Sequence, residues 1–369
     1  MGLARTLLGT LVLGLLAASS AGAASYPLNG TLVGGPELAG DRVAWAQTLA
    51  PRRSFHLRDL VRTAAPGESV RTVFRTRDRA LGMFDAGPGY LAFDWSSTRG
   101  AGRSGTEFTP DPRGGPLEGP FQRLPSCRAP TFAEALEPLR TDISGSLLAT
   151  ATSEDCDSLR GDVILRDLAT ATAMPLALPG RVVAHFGEIA LAGRYAAFGE
   201  FKPEDYSDAW VTVYDWQSGT EVYRTRNLPL GVPSFDLNDD GTLAIAYLDE
   251  ERDPSLRTSV IDWYSVADPT PHRLPHRLRH SELRVAGDMI LAEVKVRRGR
   301  ELAVLDLGGG LTSVKRFALP GRTGALRLGG FDFDGERVAY ASRRARRVRV
   351  RGKPRRRLGP VVVHVVRAP

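Results

Sequence analysis

Cysteine is scarce in this chain: two residues, Cys127 and Cys156, among 369. That leaves room for one disulfide, and in an exported protein an even pair is expected to form it. The loop so closed would stabilise the fold by about 3 kcal/mol on the chain-entropy account. No cysteine lies near the N-terminus, which argues against a lipid anchor there. Long apolar runs are missing beyond the N-terminus, so no later segment reads as a membrane-spanning helix. Lysine is nearly absent, with four of the 49 basic residues. Such Arg-heavy usage points to a GC-rich bacterial genome, with arginine's bidentate chemistry as the competing reason. No Gly-x-Ser-x-Gly elbow, P-loop, dinucleotide fingerprint or sialidase-type Asp-box occurs. The enzyme classes that carry those motifs are disfavoured.

The N-terminus reads "MGLARTLLGTLVLGLLAASSAGAASYP". One basic residue, Arg5, precedes an apolar run from Leu7 to Ala17, and Ala21-Gly22-Ala23 offers a cleavage site. This is the pattern of a secretory signal peptide over residues 1–23, with 24–369 as the mature domain in the envelope or outside the cell. The composition, 42% apolar and 25% charged, is that of a soluble globular protein. The formal charge is +7 and the pI about 9.7, yet residues 343–357 alone hold ten basic side chains. The remainder is therefore net negative, and the high pI is a local property.

One phrase recurs: a small or acidic residue and Gly, then a short apolar strand centred on Ala. It reads "AGDRVAWA", "GPGYLAFDW", "DISGSLLATA", "LAGRYAAFG", "NDDGTLAIAY", "VAGDMILAE" and "DFDGERVAYA". The equivalent positions are Ala44, Ala92, Ala149, Ala197, Ala244, Leu291 and Ala339, at steps of 48, 57, 48, 47, 47 and 48 residues. A second phrase, alternating apolar residues ending in Asp plus Leu or Trp, follows on the same beat, as in "FHLRDL", "WVTVYDW" and "LAVLDL". In the last repeat His364 stands where that Asp is due. Each repeat thus supplies about four short strands, which is one propeller blade. The expectation is an all-β chain forming a single seven-bladed β-propeller. Residues 361–366 would be the last blade's third strand, and Ser25–Gly30 would pair beside them to close the ring. The long third step holds "PTFAEALEPLR", with capping-box spacing between Thr131 and Glu134, and predicts a short inserted helix.

The phrases "NDDGTLAIAY" and "FDFDGERVAYAS" resemble the TolB-type, WD-like propeller repeat, over residues from about 30 to 366. That resemblance implies Asp-Gly at the hairpin leaving the innermost strand. The family includes exported scaffolds and propeller domains attached to peptidases. Because the repeats fill nearly the whole sequence, the expectation here is a propeller alone, without a peptidase role.

Strand direction sorts the loops onto two faces. Cys127 and Cys156 fall on one face at one blade. "RRARRVRVRGKPRRR", residues 343–357, lies between the second and third strands of the last blade and reads as a β-ribbon on the surface. It contributes Arg343, Arg344, Arg346, Arg347, Arg349, Arg351, Lys353, Arg355, Arg356 and Arg357. The neighbouring blade adds Arg297, Arg298 and Arg300. Opposite stand acidic loops with Glu204, Asp205, Asp208, Glu250 and Glu251. A face so divided would steer a charged partner. The partner class expected is a protein, an anionic envelope polymer or a lipid headgroup. Nucleic acid is disfavoured, because the ribbon lacks interleaved aromatics.

The leading expectation is therefore an exported, non-enzymatic scaffold that binds through this face. The alternatives are a propeller hydrolase or lyase acting on an extracellular polymer, with carboxylates drawn from different blades, and a structural envelope protein. No cofactor is expected. His272, His276 and His280 stand four apart, but Pro271 and Pro275 oppose the helix that would gather them on a metal. "DLNDDG" matches the start of a calcium loop, yet position twelve is Tyr247 and the stretch falls on a repeat hairpin. The tryptophans sit on repeat phrases and read as packing residues.

Overall fold

A computed structural model describes residues 23–49, 58–76, 79–97, 104–109, 122–123, 141–153, 161–170, 172–176, 182–183, 189–202, 205–228, 234–248, 259–274, 278–296, 299–307, 313–318, 330–350 and 353–368. The signal segment, both cysteines and the expected helix at 130–140 lie outside these residues.

The described chain is all antiparallel β, arranged as a propeller. Each repeat runs outward from a short inner strand. In the first sheet Thr31–Ala39 is followed by Arg42–Leu49, Arg58–Ala64 and Arg71–Thr76. The pattern recurs from Arg79–Gly87 to Gln122–Arg123 and from Thr141–Ser144 to Thr172–Leu176. It recurs again from Ile189–Ala192 to Thr220–Arg224, where Val182–Val183 adds a fifth strand.

The next two repeats do not separate. A pairing between Ser259 and Leu278 joins them into one eight-stranded sheet running from Ser234–Leu237 to Ser313–Ala318. Counted by hydrogen-bonded sheet, the described residues form six and not seven, which corrects the expectation of seven separate four-stranded blades. The physical reason is backbone proximity. The strand Leu278–Ala286 starts beside Ser259, so the ladder continues where the repeat pattern places a break.

The last sheet combines both chain ends. Phe331–Phe333, Arg337–Val350 and Lys353–Arg367 are followed by Ala24–Pro27, whose Tyr26 pairs with Val363 and Ser25 with His364. Leu28 extends the contact by donating its amide to the Val361 carbonyl at 2.8 Å.

Strands in the middle of each sheet are buried on both sides, because each sheet packs face to face with its neighbours. Trp45 and Leu38 meet Ala339, Val361 and Val363 across one such interface. Val61 and Leu91 meet across the next. The repeat position occupied by Ala44, Ala92, Ala149, Ala197, Ala244, Leu291 and Ala339 has no exposed surface in any repeat. Sheets converge toward the axis, so the space there tapers and favours a small side chain, alanine in six repeats and Leu291 in the other. Trp45 is buried, and the indole N–H of Trp210 donates to the buried Glu200 carboxylate, a packing role for both.

Candidate functional site

The inner strands set one residue opposite each repeat alanine. The register pairs Glu37 with Ala44, Asp85 with Ala92, Asp142 with Ala149 and Ala190 with Ala197. It pairs Asp236 with Ala244, Arg284 with Leu291 and Asp332 with Ala339. Alternation along a strand points equivalent positions the same way. Five carboxyl groups and one guanidinium therefore line a single axial cavity of about 220 Å³.

Two of these acids form a pair. Asp85 accepts the Ile143 amide at 2.6 Å on Oδ2 and the Ala86 amide at 2.8 Å on Oδ1. With both oxygens accepting, Asp85 is the acceptor within the pair. Asp142 lines the same cavity as Asp85, and it accepts the Leu191 amide on Oδ2. Burial, then the Asp85 charge and the hydrogen bond to it, hold the Asp142 carboxyl well above the usual carboxylate range.

Asp236 sits farther round. Burial pushes it up to about 7 against the opposing pull of Arg284 and the Val285 amide. Burial likewise raises Asp332, with Arg284 again opposing. Arg284 lies 3.5 Å from Asp332 and 3.8 Å from Glu37.

Sequence reasoning looked for carboxylates in the acidic loops and missed these. A signal was present: an acid stands seven residues before the repeat alanine in four repeats and eight before it in the fifth. Alone, each reads as a stray polar residue in an apolar strand. Of the loop acids, Glu204, Glu250 and Glu251 fall outside the described residues. Asp205 and Asp208 lie in the strand Asp205–Asp215.

The basic stretch takes the form of an antiparallel ribbon. Its ladder sets Arg346 opposite Arg357, Arg347 opposite Arg356, Val348 opposite Arg355, Arg349 opposite Pro354 and Val350 opposite Lys353. Arg343 donates to the Gly359 carbonyl at 2.8 Å. Arg300 pairs with Lys295 in the adjacent hairpin, while Arg297, Arg298 and Arg351 fall outside the described residues.

Among the candidate histidines, His272 stacks on Trp263 at 4.3 Å and contacts Asp268 at 2.8 Å. His280 lies in the strand Leu278–Ala286, and His276 is outside the description. The "DLNDDG" stretch is a hairpin: Asn238 and Asp240 both accept the Thr242 amide, at 2.8 and 3.1 Å. Gly241 there has a φ of +81°, the left-handed conformation such a turn requires.

No family model matches the sequence, and no curated protein matches it either. Solved structures do. The β-propeller domain of the Trilobed protease from Pyrococcus furiosus, described as having an open velcro topology, superposes with a TM-score of 0.58 at 13% identity. The match covers 85% of this chain and 91% of that one. The acylaminoacyl peptidase of Pyrococcus horikoshii gives a TM-score of 0.54 at 12% identity over 86% of this chain and 49% of its own length. A prolyl endopeptidase gives a TM-score of 0.54 at 14% identity, over 86% and 45%. The chain thus spans about half the length of the two whole peptidases and nearly all of the separate propeller domain.

These likenesses correct the expectation of a non-enzymatic scaffold working through a split-charge face. The matched propellers are those of peptidases. At such low identity the likeness establishes the fold: this chain is a β-propeller.

Proposed function

We propose that this chain acts in the hydrolysis of a polymer outside the cytoplasm, with polypeptide as the substrate class. The observation that carries the reading is the Asp85–Asp142 pair on the wall of the axial cavity. Two carboxyls that share one proton can do both halves of a hydrolysis. The Asp85 carboxylate takes a proton from the attacking water. Asp142 delivers its proton to the leaving amine. The amides of Ile143 and Ala86 hold Asp85 in place for this. The peptidase propellers that share the fold support polypeptide over other polymers.

The test is digestion of a mixed peptide library at neutral pH, read by mass spectrometry. New termini are expected with the native protein, and a loss of about a hundredfold or more with Asp142→Asn or Asp85→Asn. No cleavage by the native protein, or equal cleavage by the variants, overturns the reading. A second reading has its own support. Because the match covers about half of each whole peptidase, the propeller would admit substrate to a separate catalytic unit. Peptide binding without cleavage would favour it.

Finer assignments belong to the same proposal. The Asp-Gly repeat phrases support a TolB-type repeat. The Arg5-to-Ala23 pattern supports export, and the even cysteine pair supports a Cys127–Cys156 disulfide. The basic ribbon supports contact with an anionic envelope polymer or lipid headgroup, which would keep the enzyme at its place of work.

A further inference from the structure

The inner strand of each repeat leaves one row of backbone groups facing the axis, although Leu278–Ala286 is paired on that side at Leu278 with Ser259. Four of those amides are taken by carboxyl groups from the preceding repeat. Leu38 donates to Asp332 Oδ2 at 2.6 Å and Ile143 to Asp85 Oδ2 at 2.6 Å. Leu191 donates to Asp142 Oδ2, and Val285 to Asp236 Oδ2 at 2.6 Å. Every donor stands one residue after the axial position of its own strand. Three acids grip a second amide as well, that of the residue following them: Ala86 for Asp85, Leu237 for Asp236 and Phe333 for Asp332. Elsewhere the pattern lapses. Ala190 offers Leu237 no carboxyl group, and Arg284 reaches to Asp332 and Glu37 instead.

We infer that these carboxyl latches make the joining of successive repeats pH-responsive, firm in acid and slackening as the axial acids ionise. A protonated carboxyl still accepts an N–H through its carbonyl oxygen, so protonation leaves the latch intact. Ionisation changes the balance around it. Asp142 faces Asp85 and Asp236, and Asp332 faces Asp85, Asp236, Glu37 and Arg284. With all ionised, five negative charges share one cavity with the single positive charge of Arg284. Buried like charges so close favour keeping some protons.

The direction of the shifts agrees. Asp142, Asp236 and Asp332 are all raised in the folded protein. A raised carboxyl contributes stability that is full below its unfolded value of about 3.9 and is lost as pH climbs through the folded value. For Asp236 that upper end is about 7. This is the reverse of acid denaturation driven by salt-bridged carboxylates.

The experiment uses the full chain with Asp236→Asn and Asp332→Asn. Both lie outside the proposed acid–base pair, so failure here and failure of the hydrolase reading are separable. Each asparagine keeps an acceptor for its amide while removing the titration. Denaturant unfolding from about pH 5 to about pH 9 is expected to show the native folding equilibrium falling on the order of a hundredfold. Asp236→Asn should remove most of that fall and Asp332→Asn part of it. Over the same range, hydrogen exchange at the Leu38, Ile143, Leu191 and Val285 amides should accelerate in the native protein, an observation that needs no variant. Native stability that stays level or rises, exchange that does not change, or variants that fall as steeply as the native protein would each overturn the inference.

Discussion

Tyr26 holds the N-terminal strand against the last sheet, and its removal has a calculable cost. The ring stacks on Trp45 with centroids 5.8 Å apart, and the hydroxyl donates to the Ala65 carbonyl at 2.9 Å. Only 7% of the residue is exposed. Tyr26→Phe removes one buried hydrogen bond, worth about 1 kcal/mol, and leaves the Ala65 carbonyl without that donor. Tyr26→Ala removes the ring as well. A large buried aromatic truncated to alanine costs about 3–5 kcal/mol, including the stacking energy. The strand Ala24–Pro27 is four residues long, with no other buried residue in it. Its pairing should therefore not survive that loss, and it should open before the rest of the fold. The reporter is the Leu28 amide, bonded to the Val361 carbonyl. Hydrogen exchange at Leu28 should rise by about a hundredfold or more in Tyr26→Ala and by about fivefold in Tyr26→Phe. A Tyr26→Ala protein that loses less than about 1 kcal/mol in denaturant, with Leu28 as protected as before, would show that Tyr26 does not anchor this strand.

Other positions give sharper contrasts. Asp262 is buried and receives Arg273 at 2.8 Å, Arg226 at 2.9 Å and the Tyr247 hydroxyl at 2.6 Å. Burial works to raise its carboxyl, but these hydrogen bonds and charges prevail and hold it below the usual range. Its contribution is present above about pH 4 and is lost as pH falls through the folded value. Asp262→Asn should cost about 2–3 kcal/mol at neutral pH, since both arginines can partly rehydrate, and little in acid; denaturant midpoints across pH check this. Gly241→Ala should cost about 1–3 kcal/mol in the same assay, because the new Cβ would lie 2.5 Å from Val266 Cγ2 at a φ of +81°.

Much of the fold was legible in the sequence, for a steric reason. The repeat alanines mark where sheets crowd together, and Asp-Gly pairs such as Asp240-Gly241 mark turns whose glycine takes a left-handed φ. The basic ribbon was legible too, since "RVRVR" alternates between two strands of known order. The merging of two repeats through Ser259 and Leu278 was not, because it depends on where a connection brings two backbones. The site was hidden for a related reason. Glu37, Asp85, Asp142, Asp236 and Asp332 come from separate strands, and only the register brings them to one axis. The breaks at Ala190 and Arg284 blurred the pattern further. The loop acids drew attention because they are clustered in sequence, whereas the axial acids are clustered only in space.

The proposed acid–base pair requires a proton on Asp142 beside Asp85 at neutral pH. Carboxyl-carbon NMR of aspartate-labelled protein, titrated through neutrality and assigned with Asp142→Asn and Asp85→Asn, measures this directly. The expected result is one Asp142 resonance at the chemical shift of a protonated carboxyl at neutral pH, disappearing in Asp142→Asn. An Asp142 resonance already ionised at neutral pH would contradict both the acid–base pair and its part in the axial latches.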